Sequence, residues 1–279
     1  MSNRIGGGWS VGGVSNKSSN NAPKGAAQFE AARQTKTSVK EASDVVSLPG
    51  GMFLVVGDTA DKVGVIDANG KLNKLKLPGL SNGPSQLEGA AYDPVRHQLM
   101  VSREENRQIL RYDWNPEKND PPKLEKTFEL KSVKGPANKG IEGLAYLPGD
   151  FSPTGTPQLL AAHEGSPREL LLLGDGGGGK PVKIHLEDQV KSVCKDFSAV
   201  AVDPVTGNIF ISSDESSTVA QIELKRDGDK IVGRLVQSFP LRDDKQKPLA
   251  RVEGLTFNDK GDLFVLTEND GVMHKLNRK

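Results

Sequence analysis

The stretch VEGLTFNDKGDLFVLTEND, residues 252–270, decides the fold, because its parts recur upstream at a fixed spacing. EGAAYDP begins at Glu88, EGLAYLP at Glu142, SAVAVDP at Ser198 and EGLTFND at Glu253, so the starts lie 54, 56 and 55 residues apart. Each leads through a turn into a second apolar run (QLMVSRE, QLLAAHE, NIFISSD, DLFVLTE) and then a third (QILRYD, ELLLLG, VAQIEL, VMHKLN). A more diverged copy, SDVVSLPGGMFLVVGDTADKVGVID, starts at Ser43. These runs are short, rich in Val, Ile, Leu and Phe, and bounded by Gly, Pro, Asp and Asn, which is the chemistry of strands and hairpin turns. A fourth run, such as KLEKTFEL or RLVQSFPL, is present in most copies. Four antiparallel strands per unit of about 40–55 residues, repeated without helices, predict an all-β propeller of five blades.

Six blades are the alternative, but the residues before Ser43 are too few and too polar to build another. The last copy runs out at Lys279 after three strands. The missing strand is expected from the N-terminal side, around QTKTSVK (34–40), closing the final blade. Residues 1–25 are rich in Gly, Ser and Asn and cannot bury enough surface to offset chain entropy, so they are expected to be a disordered tail, with 26–279 a single propeller domain.

Composition excludes several function classes. Lysine plus arginine (37) nearly balances aspartate plus glutamate (36), and aromatics are 5%, which predicts no nucleic-acid partner. No apolar run is long enough for a membrane span, and the N-terminus lacks the apolar core of a Sec signal, so the expected location is cytoplasmic or reached by a non-Sec route. Cys194 is the single cysteine and reads as a small buried residue rather than a nucleophile. A soluble monomer is expected.

Aligning the second runs places an acid at one column in every copy: Asp58, Glu104, Glu164, Asp214 and Glu268. The first-run column reads Ser43, Glu88, Glu142, Ser198 and Glu253. The start of an innermost strand and the end of its neighbour lie at one face, so both columns are expected at one mouth of the channel. Lys134, Lys139, Lys191, Lys195, Lys245 and Arg251, in the loops KGPANKG, KSVCKD and DKQKPLAR, belong to the same face. Such acids either accept hydrogen bonds from turn amides and pair with lysines of the neighbouring blade, fixing registration, or hold a hard cation. Calcium takes about six to eight oxygen ligands and is the expected ion, with all eight acids of the two columns as candidate ligands.

Other signals are weak. GDGGGGKP (174–181) has phosphate-loop spacing but ends in Pro181 where Ser or Thr is needed, and it lies between strands, so it reads as a hairpin turn. His163, beside Glu164, is a candidate base or ligand, and His274 a weaker one.

At EGLAY, DFSAVAVDPVTGNIFISSDESS and VEGLTFNDKGDLFVLTEND the chain resembles the SdiA-regulated family of bacterial β-propellers over about residues 40–279. The resemblance implies channel-mouth calcium, presentation in the periplasm from a membrane anchor, and no established enzymatic activity. Glu88, Glu142 and Glu253 are its EGL glutamates, and Asp214 with Glu215 stands in its SDES motif. The EG-plus-hydrophobic strand is also similar to gluconolactonase-like propellers, in which such a glutamate binds calcium. Two functions are therefore expected. One is a calcium-loaded binding or scaffolding module, taking a ligand or protein at the channel mouth, with Lys139, Lys195 and Arg251 contributing. The other is a calcium-dependent hydrolase of a lactone, ester or phosphoester, with Glu142 or Glu164 as base and His163 nearby. Equivalent acids in every copy favour binding; His163 and the insertion LPGDFSPTGTP (147–157) break the symmetry and favour a site in the third copy.

Overall fold

The computed structural model describes residues 26–39, 41–59, 62–80, 86–104, 106–118, 120–131, 133, 139–164, 168–174, 176–243 and 247–279. The expected tail, Lys134 and Lys245 lie outside the described residues. The chain runs β1 (Phe29–Lys36), β2 (Ala42–Leu48), β3 (Met52–Gly57), β4 (Gly64–Ile66), β5 (Leu72–Lys74), β6 (Leu87–Asp93), β7 (Gln98–Arg103), β8 (Gln108–Asp113) and β9 (Lys123–Glu129). It continues through β10 (Ile141–Leu147), β11 (Gln158–His163), β12 (Glu169–Gly174), β13 (Gly178–Leu186), α1 (Asp188–Val193), β14 (Ala199–Val202), β15 (Ile209–Ser213), β16 (Thr218–Asp227) and β17 (Lys230–Pro240). Strands β18 (Val252–Phe257), β19 (Leu263–Thr267) and β20 (Val272–Arg278) end it.

The architecture is all-β and propeller-like. Strands β2–β5 and β6–β9 form two four-stranded antiparallel sheets in chain order, and β18–β20 form a third with β1 added outside β20. The other strands share one eight-stranded sheet, ordered β10-β11-β12-β13-β17-β16-β15-β14. Its two antiparallel halves are joined by a parallel pair in which Ile184, His185 and Leu186 face Ile231, Val232 and Gly233. The strands β2, β6, β10, β14 and β18 pack against one another in cyclic order, with β18 returning to β2.

Apolar side chains fill the space between neighbouring sheets. On β11, Leu160 and Ala162 join the cluster shared with β14–β16, while Leu159 and Ala161 join Ile109 and Phe128 on the other side. Successive side chains point to opposite faces of a strand, and both faces here are covered. That is why the runs read as continuous rather than alternating hydrophobics.

The glycine of each EG pair makes the ring compact. A Cβ on Gly89 would lie 2.8 Å from the Leu144 nitrogen, one on Gly143 2.8 Å from Ala199 Cα, and one on Gly254 3.0 Å from the Val45 nitrogen. At these three glycines the first strand thus rests on the backbone of the next, at a separation that excludes a side chain.

The closing strand lies earlier than the sequence suggests, at 29–36 rather than 34–40. Phe29 sets its position by inserting among Phe210, Phe239 and Phe257, with ring centroids 5.9, 6.0 and 6.1 Å away. Upstream, Gln221 Oε1 accepts the Ala27 N–H at 3.0 Å and Gln237 Nε2 donates to the Ala27 carbonyl at 2.6 Å. Downstream, the Thr37 N–H and hydroxyl both donate to the Gly271 carbonyl, at 2.7 and 2.8 Å, and end the strand.

Candidate functional site

Each first strand that carries a glutamate bulges at it. Leu87 pairs with Arg103 and Ala90 with Val101; Ile141 pairs with His163 and Gly143 with Ala162; Val252 pairs with Thr267 and Gly254 with Leu266. The extra residue interrupts the ladder and re-aims its side chain. Glu88, Glu142 and Glu253 occupy these positions, and Ser43 occupies the corresponding bulge between Ala42 and Asp44. The second-strand acids follow directly after β3, β7, β11, β15 and β19, at the same end, so the two columns do converge.

Their roles differ. Glu104 Oε1 accepts the Gly140 N–H at 2.9 Å, and Asp214 Oδ1 accepts the Val252 N–H at 3.1 Å, so each holds the approach to the next first strand. Asp58 accepts the Ser43 hydroxyl at 3.0 Å. Glu164 pairs with Lys139 at 3.1 Å and Glu268 with Arg251 at 2.6 Å. These cations come from the loop before the first strand of the same sheet, not from a neighbouring one as the registration reading expects. Lys139 and Arg251 are committed to these pairs; Lys195 stands apart, lining a cavity beside α1.

The first-strand glutamates are set differently. Burial pushes Glu88 up to about 8, with Asp58, Glu104 and Glu253 adding like charge. Burial likewise holds Glu253 at about 8, with Asp214 and Glu268 raising it further against Arg251. Glu142 is pushed up to about 10, by burial first and then by Glu88, Glu104 and Glu164. Its Oε1 is buried and has no hydrogen-bond partner. A buried carboxyl oxygen without a donor is costly, and here it faces other acids.

Two further buried aspartates accompany the serine copies. Asp44 follows Ser43, where the glutamate copies have glycine, and reaches across to accept the Ala90 N–H at 2.9 Å as well as the Val45 N–H at 2.8 Å. Burial holds it well above the usual carboxylate range. Asp196, two residues before Ser198, accepts the Ser213 hydroxyl and, at 3.2 Å, the Glu215 N–H. Column alignment marked neither as a site residue, although an acid in the glycine column of the first copy was a readable signal.

Of the two features expected to break the symmetry in the third copy, the insertion is not at this mouth. The insertion at 147–157 joins the end of β10 to the start of β11, opposite the end bearing Glu142 and Glu164. It is tied down by Ser152 donating to Gln158 at 2.7 Å, and its Phe151 packs on Gly207. His163 is buried at the mouth end of β11, its Nε2 at 3.1 Å from the Lys139 carbonyl. Gly174 pairs with Gly178 in a tight hairpin, so GDGGGGKP is a turn. The Cys194 thiol is buried and burial pushes it up to about 12. No described helix is long and apolar enough to cross a membrane.

The SdiA-regulated family profile matches residues 119–271, more than half of the chain. The chain belongs to the SdiA-regulated family. No curated protein matches it. Among solved structures, this family member is similar to the PQQ-bound aldose sugar dehydrogenase of Streptomyces coelicolor, at 14% identity and TM-score 0.58, covering 92% of this chain and 100% of that one. A Bacteroides thetaiotaomicron protein of unknown function matches at 12% identity and TM-score 0.54, over 98% of this chain and 76% of that one. A gluconolactonase from Xanthomonas campestris matches at 12% identity and TM-score 0.51, over 96% and 84% respectively. At such identities the likeness shows the propeller fold alone.

As a cation site, the mouth offers only oxygen donors from its acids, and one of them, Glu142 Oε1, is buried and unpartnered. That donor set suits calcium. Among the described residues, no three acid, histidine or cysteine side chains are already gathered around one point.

Proposed function

We propose that this chain is a five-bladed propeller whose channel mouth binds calcium and serves as a binding module. The cyclic contacts of five first strands support the blade count, with the eight-stranded sheet read as two blades joined at their outer edges. The observation that carries the metal reading is Glu142: a half-buried residue with one buried, unpartnered carboxyl oxygen, pushed up to about 10 among Glu88, Glu104 and Glu164. A divalent ion relieves that repulsion, and Glu88, Glu142 and Glu253 are the residues that would hold it, with water completing the shell. The second-strand acids are already engaged and act as braces.

A second reading rests on the same mouth. Hydrolysis of a lactone, ester or phosphoester is the alternative, with bound calcium supplying Lewis acidity and Glu164, held by Lys139 at 3.1 Å, as the candidate base. Thermal melts with millimolar calcium and with chelator test the metal, because an ion that binds only the folded state stabilises it by mass action. A lactone and aryl-ester screen under the same two conditions tests catalysis. A melting temperature indifferent to calcium would remove the metal from both readings.

A further inference from the structure

Beside the mouth, where β13 and β17 join the two halves of the large sheet, lies a cavity of about 610 Å³. Its floor is the buried Ile184 and Leu186, and its wall carries Lys139, Arg168, Lys183, Lys191 and Lys195 against Glu164, Asp196 and Glu215. The volume is that of a small-molecule site, and a mixed apolar floor with a few placed charges is the usual lining of one.

The charges are not equivalent. Lys139 and Glu164 cancel each other, and Lys183 is paired with Glu169 at 2.6 Å. Asp196 is turned into the wall by the Ser213 hydroxyl and the Glu215 N–H. Arg168 donates to the carbonyls of Cys194 and Lys191, and its guanidinium carbon lies 5.8 Å from the centre of the Phe197 ring. Neither Arg168 nor the Lys195 ammonium has a carboxylate partner among the described residues. A guanidinium has five N–H donors in a rigid fork, so Arg168 is held in place by two acceptors with donors to spare. Lys195, a cation on a flexible stem, lines the same cavity.

We propose that this cavity binds a small organic oxyanion, a carboxylate or phosphate ester, gripped by Arg168 and Lys195 over the Ile184–Leu186 floor. Charge-assisted bonds from a pre-positioned fork are the strong kind and favour planar or tetrahedral oxyanions over neutral ligands. The site uses none of the glutamates assigned to calcium and does not depend on that assignment.

Isothermal titration in chelator and low salt, with inorganic phosphate and with malonate as probes, tests it independently of the metal. Saturable binding of phosphate alone marks a phosphate-ester site, of malonate alone a carboxylate site, and of both a general oxyanion site. Lys195→Gln should weaken the bound probe at least tenfold, and Arg168→Lys, which keeps the charge and loses the fork, by a similar factor. Lys180→Gln, on the exposed start of β13, should leave it unchanged. Lys195 is exposed, so its variant should fold, and a melt verifies this. Failure of wild type to bind either probe, or equal affinity in wild type and both cavity variants, would overturn the proposal.

Discussion

Two sets of acids share the channel mouth and look alike in the chain, yet the fold treats them oppositely. Glu104 and Asp214 each accept a backbone N–H from the approach to the next first strand, and Glu164 and Glu268 each hold a cation. Glu88, Glu142 and Glu253 sit on bulges, half-buried among like charges, with Glu142 Oε1 left unpartnered. One set braces the ring and the other is stressed by it. Position in the repeat, rather than residue type, separates a bracing acid from a stressed one.

The largest effects should come from breaking the ring, leaving the acids untouched. Deleting residues through Lys36 removes β1, exposes the β20 edge and strips Phe29 from its aromatic cluster. Unpaired strand groups and a lost large core side chain should cost about 5 kcal/mol or more, seen as loss of a cooperative melt. A chain that still melts cooperatively without β1 would show that ring closure is dispensable. Gly143→Ala comes next. Its Cβ would meet backbone atoms of Ala199 and Val200 at 2.8 Å, so a loss of about 3 kcal/mol is expected in chemical denaturation. An unchanged midpoint would mean that the first strands do not rest on one another.

The stressed set has a pH signature. Glu88 and Glu253 move from the ordinary 4.5 to about 8 on folding, and Glu142 to about 10. Each binds its proton more tightly folded than unfolded, so its contribution is complete below about pH 4.5 and is lost as pH rises through about 8 for Glu88 and Glu253 and about 10 for Glu142. Calcium-free protein should therefore lose stability between pH 5.5 and pH 8, each of the three glutamates contributing at most about 1.4 kcal/mol per pH unit. Replacing the three glutamates with Gln should flatten the profile. A wild-type stability that rises over this interval would contradict the burial assigned to them.

The bracing set should show smaller and unequal losses. Glu104→Ala strands the Gly140 N–H and should cost about 1–2 kcal/mol, whereas Glu268→Ala removes a pair with the half-exposed Arg251 and should cost under about 1 kcal/mol. Equal losses would mean that the amide bond at Glu104 is not a brace.

The repeat itself was legible because every copy keeps its strand runs, and the β1–β20 closure followed from a copy one strand short. The exact closing segment was not, since Phe29 is placed by aromatic partners on β15, β17 and β18 that no local pattern reveals. The convergence of the two acid columns followed from strand direction, but their division did not. It depends on bulges and on amides supplied by the next sheet, as at Gly140 and Val252. Arg168 escaped notice because its setting is made by α1 and Phe197, outside the repeat pattern.

The central claim, that the bulged glutamates hold calcium and the second-strand acids do not, is tested most directly by calcium titration calorimetry on two variants. One carries Glu88→Gln, Glu142→Gln and Glu253→Gln; the other carries Glu164→Gln and Glu268→Gln. The account predicts that the triple variant, still folded, gives no calcium heat, while the double variant binds within about threefold of wild type. Calcium binding retained in the triple variant, or abolished in the double variant, would contradict it.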